Sequence, residues 1–435
     1  MSRSPTLNIV SRGRTPITAS LSELRRGIRL NKGQFGLQAC QVFFVGLIIG
    51  MERAVLPTLS ADFGVKPGAF LFLASFVLSF GLVKGVLNLV AGTLSDHYGR
   101  KPILIAGWLA GVPIPLLIYA APNWWWIIVA NIFLGINQGF TWTMTVTSQI
   151  DLAASHQRGL AVGINEAVGY IAVGLAGFVA ADLSLAYGPR IALLCFGLAT
   201  IVAALALSTM LRDTLPWVRA EHAQSAQPAE PLPAPGWGAV FMRVSFQDQA
   251  TRALCQGGVV NKIADTLVWV LFPILFQRAG LKLSMIGLIT GLYAMVWGLS
   301  QLWTGHLADR IGRKAPIVTG FMLLAGGIAM TASGSTPAIW LAAAALMGVG
   351  MALLYPNLIA AMSDLTAPLM RGKALGTYRY WRDTGYAIGA VLLGGVAQLA
   401  DAVRPVMWLT AALVVMSGLW IAKDVRIVRP NHQKV

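Results

Sequence analysis

Twelve stretches of this chain run for about 20 residues with little charge, the length a helix needs to cross the hydrocarbon core of a bilayer. They lie near 35–57, 69–91, 102–121, 124–148, 159–181 and 190–211, then near 253–277, 284–304, 315–333, 337–361, 373–398 and 404–422. Backbone amides inside lipid must find partners within their own segment, so such runs become helices rather than open strands. A soluble domain is excluded by the shortage of polar surface. Only 11% of the 435 residues are charged, against about 25% in soluble proteins. The expected fold class is an all-α membrane protein with twelve transmembrane helices.

Lys and Arg between the runs set the orientation. With residue 1 in the cytoplasm, 23 of the 33 fall on the cytoplasmic side. Five (Lys66, Arg190, Arg278, Lys282 and Arg404) fall on the other side, and five lie within runs. Positive loops stay inside, so a multi-pass protein of the cell inner (plasma) membrane is expected, with both termini cytoplasmic. The net charge of +16 is then topology, and no nucleic-acid partner is expected. Residues 1–33 are polar and basic, without the apolar core of a cleaved signal; they read as a cytoplasmic tail. Residues 34–212 read as a first six-helix bundle, 251–422 as a second, and 423–435 as another cytoplasmic tail. Between the bundles, 213–250 contains "HAQSAQPAEPLPAPG", whose composition suits a flexible cytoplasmic linker. Cys40, Cys195 and Cys255 each stand alone in apolar surroundings and read as packing residues.

Short polar phrases then reveal a duplication. "GTLSDHYGRKP" (92–102) returns as "GHLADRIGRKAP" (305–316), 213 positions later. "DLAASHQRG" (151–159) returns at the same offset as "DLTAPLMRG" (364–372). Each half holds an even number of runs, so the repeats share one orientation. Two bundles related by an axis along the membrane normal are expected, with a site between them.

Gly92, Leu94, Ser95, Asp96, Gly99, Arg100 and Lys101 fit the phrase G-x-L-(S/A)-D-x-x-G-R-(R/K), and Gly305, Leu307, Ala308, Asp309, Gly312, Arg313 and Lys314 fit it again. On these motifs the chain resembles the major facilitator superfamily from the first run to the twelfth. The resemblance implies two pseudo-symmetric six-helix bundles and a cytoplasmic gate made by these loops. The expected gate residues are Gly92, Asp96, Gly99, Arg100, Lys101, Asp151 and Arg158, with Gly305, Asp309, Gly312, Arg313, Lys314, Asp364 and Arg371 in the second half. Glycines permit the turn, and the acid can accept from backbone donors at a neighbouring helix N-terminus. Arg and Lys can bridge to acids on other loops, with Asp151 and Asp364 as natural partners. Two departures tell against a typical drug/proton antiporter of the family. Asn131 stands in "NIFLG" where an Arg is usual, and "GYIAVGLAG" (169–177) lacks the customary Pro.

Nine ionisable residues lie inside the runs: Glu52, Arg53, Lys84, Glu166, Lys262, Asp265, Arg379, Arg382 and Asp383. Each costs about 2.5–3.5 kcal/mol at the centre of an inserted helix, so they must meet water or one another. Lys262 and Asp265 share a helix face at i, i+3, and Arg379 and Asp383 at i, i+4. Lys84 and Asn88 start a polar stripe that continues to Gly92 and Asp96. The 213 offset carries Glu52 onto Asp265, and "NEAVGY" (165–170) is echoed by "RDTGY" (382–386). The nine fall on the first, second, fifth, seventh and eleventh runs, which the resemblance places along the central path. In the fourth run, Asn137 and Gln138 suit either a solute or a helix–helix tie. The candidate substrate and proton cavity is therefore Glu52, Arg53, Lys84, Asn88, Asn137, Gln138, Glu166, Lys262, Asp265, Arg379, Arg382 and Asp383. Asp265, Glu52 and Glu166 lead as proton carriers, ahead of Asp383 with its adjacent arginines. Trp124, Trp125 and Trp126 suit an interfacial belt.

The expected function is a monomeric secondary active transporter of a small polar or charged solute, working by alternating access and coupled to protons. No phosphate-binding G-x-x-x-x-G-K-(S/T) loop is present, which favours a gradient over nucleotide hydrolysis. No catalytic constellation, metal site or cofactor is expected. Alternatives are a drug or metabolite efflux antiporter, a metal or metal-chelate permease, and a non-transporting sensor or assembly protein.

Overall fold

Each apolar run forms one membrane-length helix, and polar turns or prolines end it. The computed structural model describes residues 25–154, 157–218, 236–366 and 370–425, apart from the side chains at 305, 306 and 309. Its crossing segments are α1 (Lys32–Val55), α2 (Phe70–Tyr98), α3 (Arg100–Ala120), α4 (Trp124–Leu152), α5 (Arg158–Tyr187) and α6 (Pro189–Thr209). The second half supplies α7 (Gln249–Arg278), α8 (Leu283–Ile311), α9 (Lys314–Ser333), α10 (Pro337–Leu365), α11 (Arg371–Ala400) and α12 (Arg404–Asp424). Eleven are long and apolar enough to span a membrane. The exception, α11, has the length but carries Arg379, Arg382 and Asp383.

Prolines explain the irregular helices. Pro113 has no N–H for the carbonyl of Leu109, and α3 divides there into Arg100–Gly111 and Pro113–Ala120. In α7, Pro273 cannot serve the carbonyl of Trp269, and the chain widens into a π turn over Leu267–Leu271. Pro356 leaves α10 unbroken. The carbonyl it would have served, that of Ala352, accepts instead from Thr304 Oγ1 of α8 at 2.8 Å.

Packing repeats between the halves. In the first, α1 lies on α5, α2 on α4, and α3 on α4; in the second, α7 lies on α11, α8 on α10, and α9 on α10. The halves meet along two seams, α2 against α11 and α5 against α8. On the α5–α8 seam, Gly174 faces the Gly291 carbonyl so closely that any Cβ would collide with it. On the α2–α11 seam, Gly81 lies against Tyr386 and Ala387, and Gly394 against Phe70 and Leu71.

One face of the molecule carries the two repeated loops and is called here the motif face. Away from it, Gln277 Nε2 donates to the Thr58 carbonyl at 3.1 Å, and Gln398 Oε1 accepts from the Leu71 amide at 3.3 Å, closing the halves on the opposite face. Toward the motif face a Cβ at Gly92, Gly163 or Gly372 would meet nothing within 4 Å. The halves are thus joined at the opposite face and by close glycine contacts along both seams.

Two expectations meet differences. Residues 219–235 of the expected linker lie outside the described residues, as do the tails 1–24 and 426–435. The described ends of that linker are helical, with a helix at Trp237–Met242 and a π turn at Arg243–Gln247. Apolar side chains hold this segment on α11: Phe241 stacks on Trp381 with centroids 6.2 Å apart, and Trp381 Nε1 donates to Ser245 Oγ at 2.8 Å. The tryptophan triplet also divides. Trp125 and Trp126 are exposed, whereas Trp124 is buried between Phe63 and Phe76.

Candidate functional site

The nine intramembrane charges turn inward. Eight are buried, and Arg379 is half-buried without a hydrogen bond or ion pair among the described residues. Two carboxylates organise most of the others, and both lie where the halves meet.

Asp265, on the α-helical turn of α7 just before its π turn, is gripped from both halves. Arg53 of α1 approaches it as a fork, Nη1 to Oδ1 at 2.9 Å and Nη2 to Oδ2 at 3.2 Å. Such bidentate geometry is among the strongest polar contacts available. Lys262, one turn away on the same helix, adds an ion pair at 3.3 Å. The hydroxyl of Tyr386 donates to Oδ2 at 2.5 Å, and that of Tyr293 to Oδ1 at 3.3 Å. The Lys262 ammonium lies 4.9–5.7 Å from four ring centroids, those of Tyr170, Trp297, Tyr355 and Tyr386. Arg53 rests over Trp269 at 4.8 Å. These contacts lower the cost of holding charge away from water.

Asp383 of α11 is the second node. Arg382 curls round to it, Nε to Oδ1 at 2.7 Å and Nη2 to Oδ2 at 2.9 Å. From α2, Asn88 Nδ2 donates to Oδ2 at 2.6 Å, and Lys84 stands 4.0 Å away. The polar stripe of α2 therefore reaches the other half. The expected Arg379–Asp383 pair does not form, because Arg382 and Asn88 already occupy both carboxylate oxygens.

Among the described residues the other two acids make no ion pair with a cation. Glu166 of α5 accepts from Trp142 Nε1 at 2.8 Å, and its second oxygen has no partner. Glu52 of α1 accepts from Asn131 Nδ2 at 3.1 Å and likewise keeps one oxygen unpartnered. Asn137 and Gln138 are not brought to the charges. Asn137 Nδ2 donates to the Gly107 carbonyl at 2.9 Å and Gln138 Nε2 to that of Val45 at 3.0 Å, tying α4 to α3 and α1. A buried amide N–H must be paired, and helix carbonyls satisfy the nitrogens of these two, leaving Gln138 Oε1 without a partner among the described residues.

On the motif face, Gly99 (φ 99°) and Gly312 (φ 87°) supply the left-handed turns between α2 and α3 and between α8 and α9. Arg100 bridges Asp96 at 2.5 Å and Asp151 at 3.2 Å, and also donates to Ser95. In the second half, Arg313 pairs with Asp364 at 3.4 Å. Both pairings join residues of one half. The acid at the α3 N-terminus is Asp213 rather than Asp96, its Oδ2 accepting from the Lys101 amide at 3.1 Å. Lys101 Nζ caps α6 through the Leu211 carbonyl at 2.7 Å. Arg158 and Arg371 open α5 and α11, Lys314 opens α9, and Arg371 Nε donates to the Ser363 carbonyl at 3.1 Å. The side chains at positions 305 and 309 lie outside those described.

Sequence reasoning overlooked the tyrosines that finish the Asp265 node, and it overlooked Asp213 and Thr214, whose hydroxyl donates to Asp151 at 2.8 Å. A signal existed for two of them: Tyr170 and Tyr386 are the final residues of the echoed "NEAVGY" and "RDTGY".

A duplicated twelve-helix bundle with a buried ionic junction between its halves is the architecture of a multi-pass membrane protein. The Major Facilitator Superfamily family model matches residues 39–263 and 254–434, and the chain belongs to that family. Among named relatives, the Multidrug resistance protein MdtH of Yersinia pestis (strain Pestoides F) is 33% identical over 158 residues, 35% of this chain and 39% of that protein. The same figures hold for MdtH of Yersinia pseudotuberculosis serotype O:1b (strain IP 31758). The match thus spans well under half the length of these relatives. Its membrane-length apolar helices imply a lipid surround.

Proposed function

We propose that this transporter carries a small polar or charged solute by alternating access, with its site at the Asp265–Asp383 junction and a proton as the coupling ion. The observation that carries the proposal is that both nodes are assembled from opposite halves. Arg53 reaches Asp265, and Lys84 with Asn88 reaches Asp383. When the halves separate there, those carboxylates lose partners that only water or a solute can replace. Transport and helix movement are then one event. The positive-inside balance supports a motif face in the cytoplasm of the inner membrane, with the described state closed away from it.

For the proton, Glu166 is a better carrier than Asp265. Asp265 is held by two cations and two hydroxyls, so protonating it breaks a network. The free oxygen of Glu166 can take and release a proton without breaking an ion pair. Counterflow in reconstituted vesicles, run at two pH values with panels of carboxylates, amines and neutral solutes, tests the proposal. Solute exchange that loses its pH dependence in Glu166→Gln is expected. Absence of any exchange would favour a sensor with a transporter fold. Efflux of drugs is a second reading, favoured by the name of the MdtH relatives and opposed by Asn131 in place of the usual arginine.

A further inference from the structure

The junction is short of hydrogen-bond acceptors where its cations are densest. Arg53 keeps its Nε–H unpartnered although the group is buried. The indole N–H of Trp269, whose ring lies under that guanidinium at 4.8 Å, is also buried without a partner. So is the indole N–H of Trp297, whose ring lies 4.9 Å from the Lys262 ammonium. A buried donor left unpaired is costly; one of these three belongs to a cation and the other two to rings that face one. Charge points the same way. Five buried or half-buried cations stand on α1, α2, α7 and α11, whereas Glu52, one of the four acids, is turned toward Asn131 and contributes no ion pair. The surroundings of Asp265 thus combine a surplus of cations with three N–H groups that have no acceptor among the described residues.

Resting on the carrier reading above, we propose that the solute is an organic anion with a flat aromatic body. Its carboxylate is taken by Arg53, Lys262 and the indole N–H of Trp269. The body lies among the rings that surround these cations: Phe80 meets Trp269 at 5.2 Å, and Tyr170 stacks on Trp297 at 3.5 Å. A cationic solute is disfavoured, because the cage of four rings that would receive an ammonium already holds Lys262.

Equilibrium dialysis of the full-length protein in lipid nanodiscs, with labelled benzoate, benzamide and benzylamine, tests this. Benzoate is expected to bind at least tenfold more tightly than the other two. Trp269→Phe keeps the ring, removes the N–H, and should weaken benzoate binding about tenfold. Trp297→Phe provides a second reading should that variant fold poorly. Preference for benzylamine, equal binding of benzoate and benzamide, or wild-type benzoate affinity in the folded indole variants would overturn the proposal. Counterflow separates the two readings. Exchange of benzylamine but not benzoate removes the anion and leaves the carrier, whereas benzoate binding without any exchange keeps the anion site and removes the carrier.

Discussion

Glu52 and Asp265 occupy matching places in the two halves, yet their surroundings are opposite. Asp265 has a guanidinium, an ammonium and two phenols; Glu52 has one amide. The duplicated sequence thus preserved the position of an acid while the two copies diverged in what they do with it. The second-half copy became an ionic rivet between bundles. The first-half copy is a neutral-partnered carboxyl packed against α4. The repeated loops differ in the same sense. Arg100 and Asp151 are buried together with Thr214, whereas Asp364 is 34% exposed in its side chain and its contact with Arg313 is longer.

Breaking the rivet should have the largest effect. Asp265→Asn leaves Arg53 and Lys262 buried beside a neutral group, and loss of one partner of a buried pair costs about 3–5 kcal/mol. Glu52→Gln exchanges one neutral-partnered side chain for another of the same shape, and a change within about 1 kcal/mol is expected. Unfolding of the purified variants, compared by thermal midpoint, measures the gap. Equal losses for both would mean that the two acids are alike after all.

The loops give the intermediate effect. Asp151→Ala removes the acceptor for both Arg100 Nε and the Thr214 hydroxyl, with an expected cost of about 1.5–3 kcal/mol for charged hydrogen bonds. Asp364→Ala removes a partly exposed ion pair, for about 0–1 kcal/mol. The same unfolding assay ranks them, and a reversed order would show that the second loop is the better held of the two.

How much of this was readable in advance depends on distance along the chain. Helices, duplication and turn glycines are local or periodic features, so twelve runs and one offset sufficed to foresee them. The i, i+3 pairing of Lys262 with Asp265 was legible for the same reason. The i, i+4 rule failed for Arg379, because it counts only positions on one helix and Asn88 arrives from another half. Arg53 meeting Asp265 across 212 residues, and Asp213 capping α3, are consequences of docking. No spacing in the sequence encodes them. The amides of α4 were ambiguous because a helix carbonyl and a solute offer the same acceptor.

The smallest predicted effect concerns the two prolines. Pro113 splits α3 while Pro356 leaves α10 continuous, and the visible difference is the Thr304 hydroxyl that serves the orphaned Ala352 carbonyl. In lipid no water stands ready to replace that donor. Thr304→Val keeps the shape and removes the hydroxyl, and interhelical hydrogen bonds inside membranes average about 0.6 kcal/mol. The expected stability loss is of that size. A sharper signature should come from backbone hydrogen exchange, faster in the turn following Ala352 and unchanged in α3. If exchange there stays at the wild-type rate, the continuity of α10 does not depend on α8, and the contrast between the two prolines needs another cause.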